Sequence, residues 1–429
     1  MTSVDGRTQA EPAPLSFADD CKRVLQGMRG ALTEALGELG VDPARPQEVS
    51  RQLGLHRNLT WKLSKIVTGT NVFAAVPHVP GRSGVEIVLK ALRKAGLSAV
   101  SLGRLETAMA EFERLVQVHA GDRATLELVA GGFVPGASQR EAMLQARRSS
   151  FRGNSAIWGV QARVLMAVHI LAPNKEDPTK VDVTMVNGLV DFRRLGPDVA
   201  WPLFRRAVWD DSGAFRALAG RPISASCDGT DVGEGATGVP LLREFCSPGL
   251  DQLNVYETEK EIVYELPSGP VGRSGELTCL YGSVIPALGS QYAEREPGPD
   301  GERETCEMAH NLMTPVEMLH TDLLVHESLT WAMNPSVEVF SQLEGRSTHH
   351  GERRANSRLS VDSEVHEMGQ GLTSMSTPHV PRHRELLSHV FEQVGLDSEE
   401  FRGFRFVMNY PPIPALAVLS MDLLPKPAG

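Results

Sequence analysis

Through the first third of the chain, apolar residues recur at helical spacing. Cys21, Met28 and Ala35 repeat every seven residues, as do Leu25, Leu32 and Leu39, so Ser16 to Leu39 predicts one amphipathic helix. Ser16, with Asp19 three residues on, can cap its start, and Gly40 can close its end. The two interleaved heptad rows make one apolar seam, which either packs into its own domain or pairs with a second copy of the chain. Further helices are predicted at Pro46–Leu53, Asn58–Val67, Val85–Lys94, Leu102–His119, Asp122–Ala130 and Ala142–Arg148. Ser83 with Glu86, and Ser138 with Glu141, read as capping boxes. Residues 15–150 are thus expected to be all-α, behind a polar, disordered tail at 1–14.

Beyond Asn154 the period changes. Val181, Val183 and Met185 alternate with Asp182 and Thr184, the mark of a half-buried strand, and Ile157–Leu171 is expected to pair with it across a loop. More strands are predicted at Leu253–Tyr256, Glu261–Leu266, Leu277–Ile285, Val316–Val325, Phe404–Tyr410 and Leu416–Leu423. Helices are expected near Pro202–Leu218, Pro240–Phe245 and Arg382–Val394, and exposed loops at Glu294–Glu304 and Gly345–Arg358. The predicted class is multidomain: an all-α region with a helix-turn-helix, then an α+β, β-rich region at 155–429. The junction is placed at Ser149–Asn154, where Gly153 allows a bend.

Residues 46–67, PQEVSRQLGLHRNLTWKLSKIV, carry the most information. Pro46 sits at the permitted first turn of a helix, Gly54 supplies a tight turn, Leu55 anchors it, and Asn58 can cap a second helix. Val49, Leu53, Leu59, Leu63 and Ile66 fall where a small tri-helical core needs them, and Ser50 is small where the helices cross. This segment resembles the helix-turn-helix of bacterial transcription regulators. Thr60 takes a position that is apolar in most such motifs, so the helix is either rotated or starts a residue earlier. Whether a β-hairpin wing follows is left open by TGTNVFAAVPHVPG. The resemblance implies binding to double-stranded DNA, with the second helix in the major groove. His56, Arg57, Asn58, Thr60 and Trp61 are the candidate base readers, and Arg51, Lys62 and Lys65 the phosphate contacts. It also implies a homodimer on paired half-sites, with the Cys21–Leu39 seam as the candidate interface.

Charge points the same way. The chain carries −10 overall, yet Arg45–Gly96 holds nine cationic residues against two acidic ones, a local +7 that leaves −17 for the rest. That asymmetry suits a polyanion-binding module on an acidic body. With 429 residues, 41% hydrophobic, the chain has material for two or three domains of ordinary size. No stretch approaches a membrane span, and the polar N-terminal segment has no signal-peptide core. Five cysteines, an odd number with no close pair, fit a reducing cytoplasm better than a disulfide framework.

Nine of thirteen histidines lie between His310 and His389. His320, Asp322 and His326 alternate along one predicted strand and share a face, the best candidate for a polar pocket or an enzyme site. His379 and His383 have metal-ligand spacing, but Pro378 and Pro381 break any helix through both. Asp228–Val239 resembles a calcium loop only at its start, because Val239 cannot ligate at its twelfth place. VGEGATG lacks the strand-to-helix context of a dinucleotide site. The expected function is a cytoplasmic, non-enzymatic regulator without cofactor, its C-terminal region sensing a small-molecule effector or mediating assembly. The alternatives are a scaffold whose helix-turn-helix is only structural, and an enzyme with its site at His320, Asp322 and His326.

Overall fold

The structure, a computed structural model, describes residues 15–425 except 70, 135–136, 207, 210–214, 217–219, 224–239, 249, 251–252, 259–260, 295–302, 343–356 and 362. The 1–14 tail, the calcium-like string at 228–239, the VGEGATG string and most of the two expected loops lie outside the described residues. The chain divides into two compact units between Ala142 and Met143.

The first unit is all-α, as its periodicity predicts. Its helices are α1 (Phe17–Glu38), α2 (Pro46–Leu53), α3 (Arg57–Thr68), α4 (Arg82–Lys94), α5 (Ala99–His119) and α6 (Arg123–Gly131), with a short 3-10 helix at Phe73–His78. Ser16, Ser98 and Asp122 each accept a backbone N–H three residues on, which fixes where α1, α5 and α6 begin. The Ser83–Glu86 box does not form, because α4 starts earlier, at Arg82 after Gly81, with no side-chain cap. Both heptad rows of α1 are turned inward. Cys21, Leu25, Met28, Leu32 and Ala35 lie in one core with Leu63 and Ile66 of α3 and Leu105, Phe112 and Leu115 of α5. The seam is therefore not available as a dimer interface: its own unit already covers it.

The last helix before the strands, α7 (Ala137–Trp158), passes straight through the expected junction, with Gly153 inside it. Helices tolerate one glycine at a cost of about 1 kcal/mol, so Gly153 is no hinge. The first strand consequently begins at Val160 rather than Ile157, after Gly159 at φ +69°.

The second unit is built on strands. They are β1 (Val160–Pro173), β2 (Lys180–Arg194), β3 (Trp201–Arg206), β4 (Val208–Trp209), β5 (Phe215–Arg216), β6 (Arg221–Pro222), β7 (Asn254–Glu257), β8 (Ile262–Leu266), β9 (Leu277–Ser290), β10 (Thr305–Leu312), β11 (Val316–His326), β12 (Ser336–Ser341), β13 (Val365–Gln370), β14 (Phe401–Asn409) and β15 (Ala415–Asp422). Seven form the main sheet in the order β13-β14-β11-β1-β2-β9-β6, in which β1 and β11 run parallel and their other neighbours antiparallel. One face of β1, with Val164, Met166, Val168 and Ile170, packs with Leu386, Leu387, Val390 and Phe391 of α8 (His383–Val394). The other face of the sheet, with Leu171 of β1 and Leu319, Leu323 and Val325 of β11, packs with Ala415, Ala417, Leu419 and Met421 of the three-stranded sheet β10-β15-β12. Burial on both faces explains why β1 reads as a nearly continuous apolar run.

Two expected helices are corrected here. Where Pro202–Leu218 was expected to be helical, Trp201–Arg206 is a strand paired with β8, and Leu203 shares a core with Tyr264 and Leu266. At Pro240–Phe245 only Arg243–Phe245 forms a short 3-10 helix. No helix among the described residues is long and apolar enough to cross a membrane.

Gly188 of β2 is required by the close approach of β9. A Cβ there would collide with the Cys279 carbonyl oxygen and sit 2.7 Å from Leu280 Cδ2. Gly188→Ala is therefore expected to destabilise the second unit by about 1–3 kcal/mol through overpacking, read as a lower urea midpoint. An unchanged midpoint would contradict this packing.

Candidate functional site

Helices α2 and α3 form the hairpin that the 46–67 segment predicts. Pro46 opens α2, and Gly54 ends it in the left-handed conformation at φ 64°. Leu55 is buried beyond the turn, and Ser50 Oγ donates to its carbonyl at 2.6 Å, closing the corner. The second helix begins one residue earlier than expected. His56, not Asn58, is its cap, its Nδ1 accepting from the Asn58 N–H at 3.3 Å. That shift rotates Thr60 inward, where it is 1% exposed and donates to the Arg57 carbonyl at 3.0 Å. Thr60, a candidate base reader by sequence, is thus a core residue, and His56 acts as a helix cap.

The far end of α3 is held by α1. Arg29 donates to the Ile66 carbonyl through Nε at 2.9 Å and to the Gly69 carbonyl through its guanidinium at 2.7 Å. A cation on the last carbonyls of a helix satisfies them and complements its dipole. No hairpin wing follows: among the described residues, 69–81 hold only the 3-10 helix.

What remains outward on α3 is a polar and cationic face. Arg57, Asn58, Trp61 and Lys65 are exposed, Lys62 is half-buried, and Arg51 of α2 is exposed beside them in sequence. Lys65 Nζ lies 5.6 Å from the centroid of the Trp61 ring, whose edge meets His78 at 5.1 Å between centroids. Burial, then the charges of Lys65 and Lys62, push His78 below its ordinary value. Among the described residues, Arg51, Arg57, Lys62 and Lys65 have no ion-pair partner. Arg23, Arg45, Arg93, Arg104, Arg114 and Arg123 of the same unit each have a carboxylate. Arg82, Lys90 and Lys94 of α4 likewise have no ion-pair partner among the described residues, so the uncompensated charge of this unit includes the outward face of α3 and extends to α4.

A second constellation lies in the other unit, on the main sheet. Asp322 of β11 stands opposite Arg405 of β14 in the strand register. The guanidinium grips both carboxylate oxygens, Nε to Oδ1 at 2.7 Å and its terminal nitrogen to Oδ2 at 2.9 Å. It also donates to the Met375 and Ser376 carbonyls. His320 Nε2 lies 3.4 Å from Oδ1, and His383 Nε2 lies 3.2 Å from Oδ2. Arg405 holds the Asp322 carboxyl below its ordinary value against the desolvation that would raise it.

His320 and Asp322 are thus brought together as their alternation predicts, but His326 is not with them. It sits at the strand end, bonded to Ser328 and paired with Glu400. His383 takes its place, carried in by the first residue of α8. The His379/His383 spacing gave no hint of this, since the two do not share a helix.

No family model matches this chain, and neither the curated proteins nor the solved structures hold a match to it.

Proposed function

We propose that this chain binds double-stranded DNA through α3, as a cytoplasmic transcription regulator. The observation that supports this most directly is the outward face of α3, where Arg57, Lys62 and Lys65 have no carboxylate partner among the described residues. A recognition helix lies in the major groove with its N-terminal residues at base edges, and those residues here are Arg57, Asn58 and Trp61. Relieved of capping by His56, the Asn58 side chain suits a bidentate pair with adenine, and Arg57 suits guanine. Lys62, Lys65 and Arg51 serve phosphates. Cys21, Cys246, Cys279 and Cys306 are free thiols, in keeping with a reducing compartment. A homodimer on paired half-sites remains the expected bound form, through a surface other than the α1 seam.

Arg57→Ala is expected to cost about 1–3 kcal/mol on a selected site and to relax specificity at one base pair. Lys65→Ala is expected instead to weaken all sequences alike and to lower the salt slope by about 1. Anisotropy titrations on a selected and a scrambled duplex check both. Equal losses for both variants on both duplexes would overturn these roles.

A further inference from the structure

The buried cluster has a chemistry of its own, independent of DNA binding. His383 Nδ1 faces the Met375 carbonyl at 2.9 Å, and a carbonyl only accepts, so this nitrogen carries the ring proton. In the neutral ring Nε2 then presents a lone pair, aimed at Asp322 Oδ2 and without a hydrogen-bond partner. His320 is wholly buried, and neither of its ring nitrogens has a hydrogen bond. Such groups are costly to bury unpaired. One ligand atom from each of His320, Asp322 and His383 lies within 4.8 Å of the others. Around a tetrahedral ion with bonds of about 2.1 Å, donor atoms sit about 3.4 Å apart. His320 Nε2 lies 3.4 Å from Oδ1 and His383 Nε2 lies 3.2 Å from Oδ2, so each ring already meets one oxygen of the carboxylate near that spacing.

We propose that His320, Asp322 and His383 bind one divalent first-row transition ion through two imidazole nitrogens and a carboxylate oxygen. A donor set of two nitrogens and one oxygen suits zinc, iron or cobalt rather than magnesium or calcium. The outer contacts that such sites need are built in: the Met375 carbonyl orients His383, and Arg405 orients Asp322. Each carboxylate oxygen has a second lone pair, so Arg405 keeps its hydrogen bonds while the metal is held. A groove of about 1100 Å³ lined by Ser376, Thr377, Arg382 and His383 borders the cluster on the His383 side. The competing arrangement is a protonated His383 simply paired with Asp322, which has no metal affinity.

The test is titration of the full chain, stripped with EDTA and dialysed, with Co²⁺ followed by Zn²⁺. The expected result is one Co²⁺ per chain, with visible absorption bands that Zn²⁺ abolishes. His320→Ala and His383→Ala, checked for folding by circular dichroism, are expected to lose the bands and bind at least ~100-fold more weakly. His326→Ala is expected to bind as the parent does. Absence of stoichiometric Co²⁺ and Zn²⁺ binding by the parent chain would overturn the proposal. So would unchanged binding by either folded variant. If a variant does not fold, the parent titration decides alone.

Discussion

Asp322→Ala is expected to destabilise the second unit by about 3–5 kcal/mol, the usual cost of removing one partner from a buried ion pair. The side chain is fully buried and answers Arg405 with both oxygens, so its loss leaves a guanidinium only 11% exposed without a counter-charge. The contacts of Arg405 to the Met375 and Ser376 carbonyls do not neutralise it. Strands β11 and β14 meet at this pair, and neither is an edge strand, so the cost falls inside the main sheet. Four of the five tryptophans lie in residues 143–429, so the urea transition of tryptophan fluorescence reports this unit. Run with EDTA present, the measurement isolates the ion pair from any bound metal. A loss below about 1 kcal/mol, the range of exposed ion pairs, would contradict the burial and geometry described.

Acid is expected to remove a similar amount of stability from the same unit. His169 of β1 and His310 of β10 are buried where the two sheets meet, with their Nε2 atoms 3.1 Å apart. One ring donates to the other, which works only while one Nε2 is bare. Burial pushes His310 down to about 4, and burial with the neighbouring His310 holds His169 well below its ordinary value. Unfolded, both titrate near 6.5. The folded state therefore binds fewer protons than the unfolded state once the pH drops below about 6.5, and stability falls with pH from there toward 4. For His310 alone, the gap between the unfolded and folded values is worth about 3 kcal/mol. The urea midpoint by tryptophan fluorescence is expected to drop steadily between pH 7 and pH 4.5. A double variant, His169→Gln with His310→Gln, is expected to flatten that profile. A midpoint constant over this range in the parent would contradict the buried pair.

Much of the architecture was readable from local pattern. The α1 rows, the Pro46 and Gly54 punctuation and the alternation of β2 each rest on neighbours in sequence, and each appears where predicted. What failed was of two kinds. Gly153 and the stretch from Pro202 carry residues that propensity misjudges: the helix runs through the first, and pairing with β8 pulls the second into a strand. Strand β10 was missed because His310 occupies one of its buried positions and breaks the apolar alternation. The other kind is non-local. Arg405 reaches Asp322 only through the β11–β14 register, and His383 arrives from the start of α8, about sixty residues beyond β11. Spacing rules such as HxxxH see ligands on one helix, not on a strand and a helix tip. Between α2 and α3, the departure at Thr60 was a real signal, and it resolves as a helix beginning one residue early.

DNA binding itself is tested most directly by fluorescence anisotropy of the full chain on a random duplex at 50 and 200 mM salt. The three phosphate contacts at Arg51, Lys62 and Lys65 release enough counterions to weaken binding by about 40-fold between those conditions. The expected result is measurable binding at the lower salt, a steep loss at the higher, and no binding by a variant with Arg51, Arg57, Lys62 and Lys65 all changed to Ala. No binding by the parent chain at 50 mM salt would contradict it, as would equal affinity in that folded fourfold variant.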